Sequence, residues 1–287
     1  MKISKPLLYV SLYSISWAIS IIIARFVLKT GFSPLFLTLE QNFFASIFLL
    51  PIFLIQQKTL SHTSKKSLFG AVLAGILGSG LAVLLSQYGL RLSTSINYSF
   101  LIMTSTVFAV IIARFLLKEF ITPLKFIFLT MMMIGAFLLS TKGQSLILHS
   151  GDIYILIAAS IFGLTANISR MIIKKDIQPN IVSFIRVLTA WIFIGSFLFL
   201  TGNSLAALRL TLPIVLVGLT QGFLLIFLNQ SFRVASTSYT TMLSMMTPVF
   251  VALMAYPLLG EKLILIQWLG AIMIILGGVL TQIKQAA

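Results

Sequence analysis

The chain has 287 residues, 59% of them hydrophobic and only 9% charged, with a mean hydropathy of +1.10. A water-soluble domain carries roughly a quarter charged residues, so this composition excludes an ordinary soluble fold and indicates a chain for which lipid replaces water as solvent. The net charge of +15 comes from basic residues in ones, twos and threes between long apolar runs, which anchors loops and lacks the continuous basic stripe that nucleic-acid binding needs.

A helix needs about 20 apolar residues to cross the hydrocarbon core. In chain order, such runs predict ten transmembrane helices, at 7–28, 34–55, 68–90, 95–117, 122–141, 150–172, 178–200, 211–232, 237–259 and 264–283. The first follows Lys2 and Lys5 as a signal peptide would, but has no small-residue cleavage site and is read as a retained span. Pro34, Pro123, Pro179 and Pro213 stand at predicted helix starts, where a missing N–H costs nothing. The longest polar loop is QQKTLSHTSKKS, 56–67, and no soluble domain is expected. With the N-terminus inside, the inner segments hold Lys2, Lys5, Lys58, Lys65, Lys66, Arg114, Lys118, Lys125, Arg170, Lys174, Lys175, Arg233 and Lys284. The outer segments hold only Arg25, Lys29, Arg91, Lys142, Arg209 and Lys262. Basic residues near span ends favour the cytoplasm, so both termini are expected there, in an inner or plasma membrane.

The two halves, 1–145 and 146–287, resemble each other. STSINYSFLIMTSTVFAVIIARFLLKE (93–119) lines up with ASTSYTTMLSMMTPVFVALMAYPLLGE (235–261). A shift of 142 pairs Val107 with Val249, Phe108 with Phe250, Glu119 with Glu261, Gly80 with Gly222, Arg91 with Arg233 and Gly135 with Gly277. Earlier in the halves a shift of 145 pairs Arg25 with Arg170, Lys29 with Lys174 and Pro34 with Pro179. Five spans per half is an odd number, so the second half must enter the membrane upside down. The expected fold is therefore all-α, ten transmembrane helices as two inverted five-helix repeats, with a substrate site near the midplane where the halves meet.

TPVF (247–250) before LLGE (258–261), with LLKE (116–119) in the first half, resembles the EamA-type drug/metabolite transporters, and the likeness runs over essentially the whole chain. The first half departs in having Thr106 where the repeat has Pro248. That family also commonly carries an arginine early in spans 2 and 7. VSFIRVLTAWIF keeps it as Arg186, whereas LTLEQNFFASIF has Gln41 at the matching place and Glu40 beside it. The resemblance implies a central cavity opened alternately to either side, and movement of a small metabolite whose identity does not follow from membership.

Candidate site residues lie where the repeat disagrees with itself. Glu40 and Arg186 stand six or seven residues into their helices, about 9–10 Å along the axis, and a charge at that depth faces a cavity unless it snorkels. Glu40 is read as a candidate for a cationic substrate group or a coupling proton. Trp17, mid-span, could stack on a substrate; Asn97, Tyr98 and Tyr239 open spans 4 and 9; Asn167 is polar in mid-span 6; Pro248 frees a backbone carbonyl in span 9. Gln87 and Asn229 are a matched pair. Glu119 and Glu261 are read as caps at helix ends, and Gly70, Ala74, Gly78 and Ala82 as a small-residue packing stripe.

These residues predict a secondary transporter, an exporter or exchanger of a small metabolite such as an amino acid or related amine, coupled to protons, to counter-substrate or to the substrate gradient alone. A flippase for a lipid-linked precursor is the rival reading. An enzyme is not expected, because the five acids are scattered, His62 and His149 fall in loops, and no nucleotide-binding loop is present. The lack of cysteine removes thiolate ligands, and neither cofactor nor metal is expected. The partners are the small-molecule substrate and membrane lipid; the oligomeric state is not legible.

Overall fold

The computed structural model describes residues 4–93, 95–201, 211–259 and 263–286. Glu261, Lys2, Arg209 and Lys262 lie outside them. Every described regular element is helical. In order these are α1 (Lys5–Lys29), α2 (Pro34–Gln56), α3 (Lys65–Ala74), a π-helical segment (Gly75–Ala82), α4 (Val83–Leu92), α5 (Ser95–Leu101), α6 (Thr104–Leu116), α7 (Pro123–Thr141), α8 (Ser150–Lys175), α9 (Pro179–Leu200), α10 (Leu212–Val234), α11 (Thr237–Ser244), α12 (Thr247–Leu259) and α13 (Leu265–Ala286). Among the described residues eight stretches are long and apolar enough to cross a membrane: α1, α2 with its following turn, α3 through α4, α5 with α6, and α7 through α10. The apolar stretch Leu265–Thr281 is shorter.

Prolines start α1, α2, α7, α9 and α10 as their sequence positions require. Ser33, Ser64, Thr122 and Ser236 accept from the first turns of α2, α3, α7 and α11, which satisfies amides that lipid cannot. The 56–67 loop is not wholly irregular: Gln57–His62 form a 3-10 turn and α3 begins at Lys65.

Two predicted spans are interrupted at matching places. Leu101 and Thr104 bound one break, Ser244 and Thr247 the other, and each is tightened by i→i−3 bonds such as Met103 to Phe100 and Met245 to Met242, both 3.1 Å. Pro248 is the second residue of α12, in a first turn where its missing N–H is not needed. It cannot be the general cause of the break, because the first half breaks with Thr106 there. Thr106 instead donates to the Thr241 carbonyl across the halves at 3.1 Å.

Helix neighbours are symmetric. α1 packs on α10 as α3 and α4 pack on α8; α2 meets α9; α7 meets α13; α2 lies against α10 as the π segment lies against α9. Each of these pairs has its counterpart when the halves are exchanged. Glycine sets the closest crossing. A Cβ on Gly135 would sit 2.6 Å from the Gly270 carbonyl, so α7 and α13 touch backbone to backbone. Large apolar side chains such as Phe69, Phe115, Phe199 and Leu200 remain exposed on the outside, the expected surface for lipid contact.

Candidate functional site

The small-residue stripe of span 3 does more than pack. Gly70 faces Ile172 and Ile168 of α8, but from Gly75 to Ala82 the helix widens to π geometry. Such bulges free backbone groups and favour functional sites. The Ser79 carbonyl in this segment accepts from Asn42 Nδ2 at 3.1 Å, a buried amide that also bonds the Thr38 carbonyl at 2.8 Å. A Cβ on Gly78 would stand 2.8 Å from Thr165 Oγ1 and 2.9 Å from Arg186 Nη2. Glycine at this position is thus the space into which the guanidinium fits.

Around that point lies a cavity of about 990 Å³, open space at its mouth included. Both halves line it. Tyr13, Trp17, Gln41, Ser86, Gln87 and Tyr98 come from the first, and Phe162, Thr165, Arg186, Gln221, Thr241 and Ser244 from the second. Gln87 Nε2 donates to Gln41 Oε1 at 3.4 Å. The Tyr13 and Trp17 rings lie 5.6 Å apart, tilted by 45°. Arg186 is 4% exposed, and its Nη1 donates to Ser169 Oγ at 3.2 Å. Its Nε has no partner among the described residues.

Of the residues singled out from the sequence, the cavity brings together Trp17, Gln41, Tyr98 and Arg186, with Gln87 beside them. The others stand outside its lining. Glu40 is buried one residue before Gln41, at 2% exposure. Asn97 donates to Asp152 Oδ2 at 2.7 Å and to the Ile147 carbonyl at 2.8 Å. Asn167 donates to the Ala109 and Gly163 carbonyls, each at 2.9 Å, which ties α8 to α6. Tyr239 packs in a core cluster with Val10, Phe184 and Leu225. Asn229 bonds Ser183 at 2.8 Å, and Pro248 follows the break described above.

Several lining residues escaped the sequence reading. Tyr13 is one helical turn before Trp17, on the same face, and Gln221 is an amide in the middle of an apolar span. Either could have been found by the reasoning that chose Asn167. Thr165 and Thr241 carried no such signal, because a hydroxyl can bond its own helix.

Glu119 does act as a cap, but on a different helix from the one expected. It accepts from the Thr237 amide at 2.8 Å, the Ser238 amide at 3.1 Å and the Ser238 hydroxyl at 2.6 Å, and so joins the end of α6 to the start of α11. At the same face the Ser64 amide donates to Asp176 at 3.1 Å. Burial raises the Asp176 carboxyl, but bonds from Ser67 and Ser64 with the charge of Lys175 outweigh it and hold the group below the usual carboxylate range. At the opposite face Asp152 accepts from Ser93, Asn97 and the His149 amide. Carboxylates therefore tie the halves together at both faces.

Two similar helical halves that line a shared cavity are an arrangement that many membrane transporters have. The chain belongs to the EamA-like transporter family, whose model matches residues 4–141 and again 149–282. A crystal structure shares the fold with a TM-score of 0.73 at 14% identity, over 96% of this chain and 97% of its own. No curated protein matches the chain.

Proposed function

We propose that this transporter is a secondary carrier that moves a small metabolite of the amino-acid or amine kind across the inner or plasma membrane by alternating access. In this reading ten spans, two inverted five-helix repeats (1–145 and 146–287), form the moving halves, and the excess of basic residues supports a cytoplasmic side for both termini. The observation that carries this reading is the cavity, walled by both halves and rich in amide and hydroxyl groups within an apolar shell. Transport outward or by exchange suits a site reached from each side in turn, with protons or counter-substrate as the coupling partner.

Counterflow in proteoliposomes tests it. Vesicles loaded with one unlabelled amino acid or amine, diluted into labelled compound, are expected to accumulate label transiently above equilibrium. A panel in which no compound gives an overshoot contradicts the cargo class. Movement of a fluorescent lipid-linked sugar between leaflets in the same vesicles favours the flippase instead.

A further inference from the structure

We infer that Arg186 is the docking point for a carboxylate, and that this cavity takes cargo bearing one acidic group and rejects cargo that is only an amine. The inference rests on the transport reading above and narrows it.

A guanidinium carries five N–H donors and cannot be neutralised in a protein. Within the described residues Arg186 gives one hydrogen bond, to Ser169, and its buried Nε gives none. Tyr13 is the titratable side chain that acts on its charge. An unpaired charge at membrane depth is costly, and breaking or lacking a buried pair leaves that cost in place. Yet the fold makes room for the group. The helix opposite is bulged, Gly78 supplies the space, and the Thr165 hydroxyl stands at the same spot. The missing partner is therefore an anion that comes and goes.

Charge decides its kind. Among the described residues Arg186 is the one charged side chain in the lining, which holds no described Asp, Glu or Lys. A monoanionic carboxylate neutralises it and can accept two parallel N–H bonds from the fork. A phosphate dianion would leave net negative charge in an apolar shell. A bare amine would add a second positive charge with no carboxylate to receive it. Trp17, Tyr13, Phe162 and Leu224 offer apolar surface for the rest of the cargo, and an ammonium group beside the carboxylate has Gln and Ser/Thr oxygens to meet.

The test is a thermal-shift panel on the purified full chain, using amino acids, the amines left by removing their carboxyl groups, and the acids left by removing their amino groups. The wild type alone separates these ligand classes, so the outcome does not depend on a variant folding. Carboxylate-bearing members are expected to raise Tm while the matched amines do not. Arg186→Gln is expected to weaken the best ligand at least tenfold, and Arg186→Lys to recover only part, since a point charge replaces the fork. Amines that stabilise as well as their parent amino acids overturn the inference and leave the transporter reading standing. Carboxylates that bind Arg186→Gln unchanged do the same. A panel silent on wild type overturns the cargo class itself, and the inference with it.

Discussion

Both oxygens of Glu119 accept from the first turn of α11, a helix that begins 118 residues later. The carboxylate sits where the helix dipole is positive and where two amides lack intrahelical partners. Losing a helix cap of this kind costs about 2 kcal/mol at the upper end of measured values. Glu119→Ala is therefore expected to lower Tm by roughly 4–8 °C, at about 2–4 °C per kcal/mol for a chain of this size, and differential scanning fluorimetry in detergent reads it. An unchanged Tm would show that the cap is not formed. Asp152 and Asp176 follow the same logic, each held by hydroxyl and amide donors at a helix end. Three of the five acids in the chain thus hold helix ends, and Glu40 is buried beside the cavity without lining it.

At the scale of elements, the π segment is the departure that shapes the site. Within Gly75–Ala82 the Ser79 carbonyl accepts from Asn42, and Gly78 stands against Arg186. Adding one methyl there forces Thr165 or the guanidinium to move. Gly78→Ala is expected to lower the apparent affinity of the counterflow substrate about tenfold, about 1.4 kcal/mol, at little cost in Tm. Affinity that stays the same would detach the bulge from binding. The period of apolar residues made the helices legible, and the prolines marked their starts, because both effects act within one turn. The bulge was not legible. Four small residues spaced by four look like a plain packing face, and only the approach of α9 shows which of them makes room for a charge. Arg186 could be chosen from sequence because a charge within an apolar run needs a reason wherever it lies. Asn97 and Asn167, polar but uncharged, bond backbone carbonyls and Asp152, partners that lie far away in the sequence.

Across the whole molecule, the helix contacts named above recur when the halves are exchanged, which suits the alternating-access reading proposed above. Carboxylates of similar chemistry join the halves at both faces: Asp152 with Ser93 and Asn97 at one, Glu119 with Thr237 and Ser238 at the other. On the alternating-access reading proposed above, one of these contacts opens while the other holds. The chain has no cysteine, so a single introduced thiol reports without background. Ser105 lines the cavity next to the break between α5 and α6. The decisive measurement is labelling of Ser105→Cys in sealed vesicles by a membrane-impermeant maleimide applied from each side separately, with and without the ligand found by the thermal-shift panel. The transporter account predicts labelling from both sides and protection by ligand on both. Labelling from one side only, or labelling that ligand leaves untouched, would contradict it.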